Sequence, residues 1–401
     1  MDLYICVKKN FLHMTILLAI TQTHWGGAQQ YVYDIALGYM TAGHTVVVAA
    51  GEDAQHSTLF QKLNAKGIET HALRSLRRSF HPVHDILAIV EFSRLLQSIQ
   101  PNLVHLNSSK MSIIGTLGLR HSRLTAKLIY TAHGWVFHED HHPARTYVYT
   151  WLEKYTAPDK DAIITVSQKD ADTAYTVLGY PKEKTHCIHL GISTHTPMPA
   201  SEAKKKLSTQ YGVPNTQGQI LFGTIANFYH TKGIDIYLHA LALLAKEQGL
   251  PPWHAIIIGD GEQKKILQSL IETYHLQQQV TLPGFIAEAS SYVPAFDWYV
   301  LPSRKEGFPY VLLEAATANI PIIATNVGGV SEFVEDTKTG FLVTPKNPQD
   351  LRRALHDALQ TPATTKESMQ KNLAGALKQY QFKSMITQTL ALVQAIFQEA
   401  P

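Results

Sequence analysis

Cysteine is nearly absent: Cys6 and Cys187 are the only two in 401 residues. Two thiols make no disulfide framework, so a stapled secreted scaffold is excluded and a reducing compartment is favoured. Excess charge is lacking as well. With 35 basic and 32 acidic residues the formal net charge is +3, which does not mark a nucleic-acid binder. No apolar run approaches the ~20 residues of a transmembrane helix. Lys8 and Lys9 precede the apolar run Met14 to Ile20, as in a short leader. That run is broken by Thr21-Gln-Thr-His and reads as a first strand, with residues 1–13 as an extension. The turn after it carries Gly26-Gly27 but no G-x-G-x-x-G, so the dinucleotide fingerprint is missing.

What is present is an ordinary globular composition, 45% hydrophobic and 17% charged, in a length that suits two domains. Strand-like runs at 15–20, 45–50, 68–73, 103–107, 127–133, 161–167 and 186–190 alternate with helical patterns at 29–40, 57–66, 84–99, 110–121 and 168–178. The second half repeats the alternation, with strands at 219–225, 253–259, 280–285, 297–301, 320–324 and 339–343. Such alternation predicts an α/β fold with parallel sheets covered on both faces. Residues 193–201 are Pro- and Ser-rich without periodicity and read as a linker between domains 14–192 and 202–380. A last helical pattern fills 383–398.

The most informative stretch is Leu301 to Gly329. It reads strand, loop, helix, strand, with Pro309 expected at the first helical position. Glu306 falls in the loop and Glu314 inside the helix. A helix N-terminus suits a phosphate, and carboxylates suit hydroxyl-rich sugars. Together they suit a sugar nucleotide. Lys232, just before another helix start, is placed to meet a phosphate too. His133-Gly134 ends a strand on the edge where ligands bind in parallel sheets. His138, His141 and His142 fit no metal spacing and read as solvated loop residues.

The stretch EGFPYVLLE, Glu306 to Glu314, resembles the retaining glycosyltransferases of family 4, and the resemblance extends from about Met14 to the C-terminus. It implies a GT-B fold: two Rossmann-like domains facing each other across a cleft, with residues 381–401 as a helix crossing back to the first domain. It implies that Glu306 contacts the donor sugar and Glu314 the nucleotide ribose, with His133 beside the sugar. It places Gly26-Gly27 near the donor phosphate, Gly259 and Gly261 beside the nucleotide, and the backbone near Phe285 against the base. The family usually has an Arg about five residues before Lys232, where this chain has Asn227. Arg304 is the expected substitute. Lys232, Arg304 and the N–H groups near Gly307-Phe308 would then stabilise the leaving diphosphate. No metal or other cofactor is expected, and no Asp-x-Asp pair is assigned to hold one.

Between residues 70 and 127 the cations Arg74, Arg77, Arg78, Arg94, Lys110, Arg120, Arg123 and Lys127 face only Asp85 and Glu91. Apolar residues accompany them, in the 74–80 loop and along the helix from Lys110. That mixture suits an anionic lipid surface. Asn107-Ser-Ser-Lys110 and Thr131-Ala-His-Gly134 resemble family members that build bacterial surface polysaccharides on a lipid diphosphate carrier. The expectation is a cytoplasmic enzyme, peripheral on the inner membrane face, that takes a nucleoside diphosphate sugar, with uridine as the family's usual base, and extends a lipid-linked glycan. The alternatives are a sugar-nucleotide epimerase, a two-domain ligand-binding protein and a glycosidase.

Overall fold

The computed structural model describes residues 13–51, 54, 57–135, 143–193 and 197–398. The expected extension up to residue 12 and His138, His141 and His142 lie outside these. The chain divides into two compact units, one of residues 1–190 with 383–401 and one of residues 191–382.

The first unit runs β1 (Thr15–Ile20), α1 (Gly27–Thr41), β2 (Thr45–Gly51), α2 (Thr58–Asn64), β3 (Glu69–Leu73), α3 (Pro82–Ile99), β4 (Leu103–Asn107), α4 (Ser109–Ser122), β5 (Lys127–Ala132), α5 (Pro143–Thr156), β6 (Ala162–Thr165), α6 (Gln168–Thr173) and β7 (Thr185–Cys187). Its sheet is parallel throughout, in the order β3-β2-β1-β4-β5-β6-β7. β1 is an interior strand, with Ile16 level with both Val46 and Leu103. Being covered on both faces, it buries every residue from Ile16 to Ile20. Ser167 caps α6, accepting from the Asp170 N–H at 3.1 Å. The single helix expected over 168–178 is instead α6 followed by a π-helical turn, Ala174–Leu178. α5 was not anticipated.

The second unit runs α7 (Ala200–Tyr211), β8 (Ile220–Ile225), α8 (Ile234–Leu244), β9 (Trp253–Ile258), α9 (Lys264–Thr273), β10 (Val280–Gly284), β11 (Trp298–Leu301), α10 (Tyr310–Thr317), β12 (Ile322–Thr325), α11 (Val330–Phe333), β13 (Gly340–Val343), α12 (Pro348–Gln360) and α13 (Ala363–Leu377). The expected linker overlaps the start of α7, so it is shorter than the sequence suggested. This sheet too is parallel, in the order β10-β9-β8-β11-β12-β13. Its core joins Phe222, Ile257, Trp298 and Val300 from the strands with Leu241, Leu267 and Leu355 from the helices. The terminal helix α14 (Phe382–Gln398) belongs with the first unit, where Ile386 lies against Gly38 of α1.

Candidate active site

The second unit's sheet reverses its order between β8 and β11, and the loops leaving these strands diverge there. In open parallel sheets, ligands bind outside the strand ends at such a point. The two loops are laced together. The Arg304 N–H donates to the Thr231 carbonyl at 2.8 Å. At Gly233 (φ +65°) an added Cβ would lie 2.1 Å from the Pro302 carbonyl oxygen, so only glycine fits. This close passage brings Lys232 Nζ to 2.7 Å from Glu306 Oε1. Ser303 Oγ donates to the same oxygen at 2.6 Å. Gly328 closes behind the loop, its absent Cβ leaving room for the Glu306 carbonyl at 2.0 Å. The Gly329 N–H donates to the Gly307 carbonyl at 2.6 Å.

Arg304 sits in the same loop but is engaged elsewhere. Its two terminal nitrogens each lie 2.6 Å from an oxygen of Asp235, and one also donates to the His230 carbonyl at 2.8 Å. Burial opposes ionisation of Asp235, but the Arg304 guanidinium outweighs it and holds the carboxyl below its ordinary range. Arg304 therefore braces the loop after β8, and the cation facing Glu306 is Lys232. Asn227 lies half-buried at the exit of β8. Pro309, expected at the first helical position, is instead the extended N-cap of α10. Phe308 is a core residue, its ring stacked on Tyr380 at 5.1 Å, so only its backbone could serve a ligand. Glu314, five residues into α10, is enclosed enough that burial pushes its carboxyl up to about 7. Gly259 and Gly261 hug the loop after β8: an added Cβ would lie 1.9 Å from the Ala226 carbonyl oxygen and 2.9 Å from the Phe228 nitrogen. Phe285, just past β10, is exposed.

In the first unit the reversal falls between β1 and β4. Thr21 and Ser108, just past these strands, share a 2.6 Å hydroxyl hydrogen bond. Ser108 has φ +76° and ψ 146°, a conformation that costs energy in any residue but glycine and that gathers at functional sites. Asn107 ends β4, and its Oδ1 lies 3.1 Å from Nε2 of His133, just past β5. Burial pushes the His133 imidazole down to about 3, so it is neutral at physiological pH. With Nε2–H donating to Asn107, Nδ1 remains an acceptor. The Tyr31 ring stands edge-on to His133 at 4.8 Å between centroids. Beneath lies a buried chain: Tyr31 to Thr131 at 3.1 Å, Thr131 to His105 at 2.7 Å, and His105 to Tyr39 at 3.0 Å. Gly26 caps α1 and Gly27 opens it, at the exit of β1.

The expected basic surface is only partly there. Arg74, Arg77, Arg78 and Arg123 are exposed. Lys110 is a correction: it is buried, 2.6 Å from Asp85, and donates to the Ser79 carbonyl at 2.6 Å. The apolar side of α4 is likewise core, since Met111, Ile113, Ile114 and Leu119 are all buried. Arg120 pairs with Asp159 and lies over the Tyr155 ring. Two Asp-x-Asp pairs do occur, at 159–161 and 170–172. Asp159 serves Arg120, Asp161 serves Lys127 and the Leu128 N–H, and Asp170 caps α6 with Ser167. Each of these carboxylates has a structural partner. Reading the sequence missed Ser303, Asp235, Asn107 and Tyr31. Position at a strand end could have found Asn107; nothing local marks the others.

The fold is that of the two-domain GT-B transferases. Anabaena HepE in complex with UDP and glucose superposes with a TM-score of 0.79 at 22% identity, over 96% of this chain and all of that one. Sucrose-phosphate synthase from Thermosynechococcus elongatus does so with a TM-score of 0.81 at 20% identity, over 97% and 100%. The family models for "Glycosyltransferase Family 4" and "Glycosyl transferases group 1" match residues 25–196 and 204–375. The chain belongs to this glycosyltransferase family. Among relatives, the Escherichia coli UDP-Gal:alpha-D-GlcNAc-diphosphoundecaprenol alpha-1,3-galactosyltransferase is 24% identical over 67% of this chain and 69% of its own length. The putative Bacillus subtilis glycosyltransferase EpsD is 24% identical over 76% and 79%.

Proposed function

We propose that the enzyme transfers a sugar from a UDP-sugar, with retention of configuration, to a hydroxyl of a lipid-linked glycan at the inner face of the cell membrane. The observation that carries the reading is the Lys232–Glu306 ion pair at the second unit's switch point. A nucleoside diphosphate sugar offers each partner a replacement. Its diphosphate takes Lys232 and its sugar hydroxyls take Glu306, so donor binding exchanges one charge-assisted contact for two. As the glycosidic bond breaks, negative charge builds on the leaving diphosphate. Lys232 and the first turn of α10 stabilise that charge. The acceptor's proton goes to the departing phosphate oxygen, and no side chain is assigned as general base. Neutral His133 accepts a hydroxyl hydrogen at Nδ1 and orients it. Glu314 takes the ribose hydroxyls.

The uridine base is supported by the UDP in the HepE complex, and the lipid diphosphate acceptor by the name of the E. coli relative. The membrane is supported by exposed Arg77 and Arg78 beside exposed Phe80. No described helix is long and apolar enough to cross a bilayer. A donor panel scored for acceptor-dependent UDP release, with the product's anomeric configuration read by NMR, tests the reading. Interconversion of the sugar nucleotide without acceptor would make the protein an epimerase. Hydrolysis of a sugar without nucleotide would make it a glycosidase. Turnover unchanged by EDTA is expected, since Lys232 takes the place of a metal.

A further inference from the structure

α5 is the helix the sequence did not announce, and its outer side is unusual. Tyr147 is 73% exposed, Trp151 54% and Tyr155 51%, with Val148 between them. They recur at i, i+1, i+4 and i+8, one continuous stripe. Among the described side chains, the one charge exposed along this stripe is Lys154. Glu153, the helix's single acidic residue, points inward and is buried against Lys160. The Trp151 and Tyr155 rings stack at 5.5 Å, nearly parallel, and the Arg120 guanidinium lies 4.7 Å from the Tyr155 centroid.

α3 flanks α4 on its other side and repeats the pattern. Val83, Ile86 and Leu87 are exposed at i, i+3 and i+4, with Phe80 just before the helix. Of the two acidic residues of α3, Asp85 faces inward and Glu91, i+4 from Leu87, lies half-buried on the same side as the stripe. Asp85 is buried against Lys110, and Glu91 accepts the Arg74 and Ser75 N–H groups at 2.9 Å. Among the described residues, exposed Asp159 beside Tyr155 is held by Arg120, and the other exposed charges around the two stripes, Arg77, Arg78, Arg94 and Lys154, are cationic. Aromatic rings with a polar edge, aliphatic side chains and an excess of cations are what a helix lying in the headgroup layer of an anionic membrane carries.

We infer that the exposed stripes of α5 and α3 are the membrane-docking surface of this enzyme, entering the headgroup layer of an anionic bilayer with Trp151 and Tyr147 as the deepest side chains on α5. The inference rests on the membrane-docked reading above and relocates the contact. The expected helix from Lys110 is core, and the two helices beside it carry the surface. Arg120 keeps a part, holding the Tyr155 ring in place.

Trp151 gives the test its readout. Of the five tryptophans, Trp135 and Trp298 are buried and Trp25 and Trp253 half-buried, which leaves Trp151 as the exposed reporter. The protein is mixed with phosphatidylglycerol vesicles or with phosphatidylcholine vesicles, then floated, and its tryptophan emission recorded. With phosphatidylglycerol, flotation, a blue shift and protection from aqueous quencher are expected. Trp151→Ser with Tyr147→Ser should weaken vesicle binding at least about tenfold, because two exposed aromatics no longer leave water. UDP-sugar affinity and turnover on a soluble acceptor should be unchanged, which also shows that the variant is folded. Arg77→Glu with Arg78→Glu should abolish flotation. Full flotation of the aromatic variant, or flotation of the wild type without an emission change, overturns the inference and leaves docking through the 74–80 loop standing. Self-association that the aromatic variant abolishes, without vesicle binding, overturns it in favour of a second copy of the chain. Absence of glycosyl transfer on any soluble acceptor would count against the proposed function alone, since vesicle binding is read without turnover.

Discussion

The second unit keeps an ion pair at its strand ends, and the first unit keeps one in its core. Lys232 and Glu306 retain 27% and 9% of their side-chain exposure, whereas Lys160 and Glu153 retain 0% and 2%. The distances are similar, 2.7 and 3.1 Å, so geometry alone does not separate a site from a strut. What separates them is the rest of the shell. Lys160 also donates to Thr156 and to Tyr180, at 3.1 and 2.9 Å, and lies among the rings of Tyr130 and Tyr180. Nothing more can enter. Lys232 is open on one side, and its partner can be exchanged for a ligand. Openness, rather than ion pairing, sets Lys232 apart as the candidate.

The sharpest way to break this comparison is to remove each lysine. Lys160→Met leaves Glu153 charged and buried without its partner, which should cost ~3–5 kcal/mol of stability. The denaturation midpoint should fall accordingly, and Glu153→Leu added to it should recover most of the loss. A Lys160→Met protein as stable as wild type would refute the structural assignment. Lys232→Ala should behave oppositely. Its stability should stay within ~0.5 kcal/mol of wild type, while kcat falls on the order of a hundredfold through loss of one preorganised donor. If Arg304→Ala loses more turnover than Lys232→Ala while remaining folded, the diphosphate is held at Arg304 instead.

Sequence reading did well where the chain is locally constrained and poorly where burial decides. Thr15–Ile20 and Leu103–Asn107 are the strands expected, because short apolar runs between turn residues leave few alternatives. The unit around Glu306 was legible for the same reason: strand, loop and helix are consecutive, so spacing fixes their order. That Ser303 and Lys232 share one oxygen of Glu306 was not legible, since that depends on two loops 74 residues apart crossing at Gly233. Lys110 and Trp151 were misjudged or missed in opposite directions. A lysine on an apolar helix read as surface but is core, because Asp85 of the neighbouring helix receives it. The α5 pattern is not apolar on one face only: its inward side holds Tyr149 and Glu153, and its outward side holds Tyr147 and Trp151. Periodicity cannot see a helix that carries aromatic residues on both faces.

Glu314 gives the smallest net effect and the finest test, because it is buried and is also the proposed ribose ligand. Its carboxyl titrates near 7 in the folded protein, raised by burial from an ordinary value of 4.5. A carboxyl raised in this way favours the fold while protonated. That contribution is complete below pH 4.5 and is lost as pH rises through about 7. Above 7 the free enzyme carries an ionised, poorly solvated carboxylate, at a cost of up to about 3 kcal/mol. Glu314→Gln removes the charge and keeps the shape. The ligand-free variant should therefore unfold at a higher temperature than wild type at pH 8, and the gap should close towards pH 5. Binding should move the other way. Ribose hydroxyls donate best to the ionised form, so wild-type affinity for a UDP-sugar, whose diphosphate diester does not titrate here, should rise from pH 6 to pH 8. Glu314→Gln should bind about tenfold more weakly at pH 8 and show a flat profile across that range. With a saturating UDP-sugar the two effects oppose and the unfolding temperatures converge. A variant that loses affinity without gaining ligand-free stability would show that Glu314 is paired in the free enzyme. One that gains stability and keeps full affinity would remove Glu314 from the ribose site.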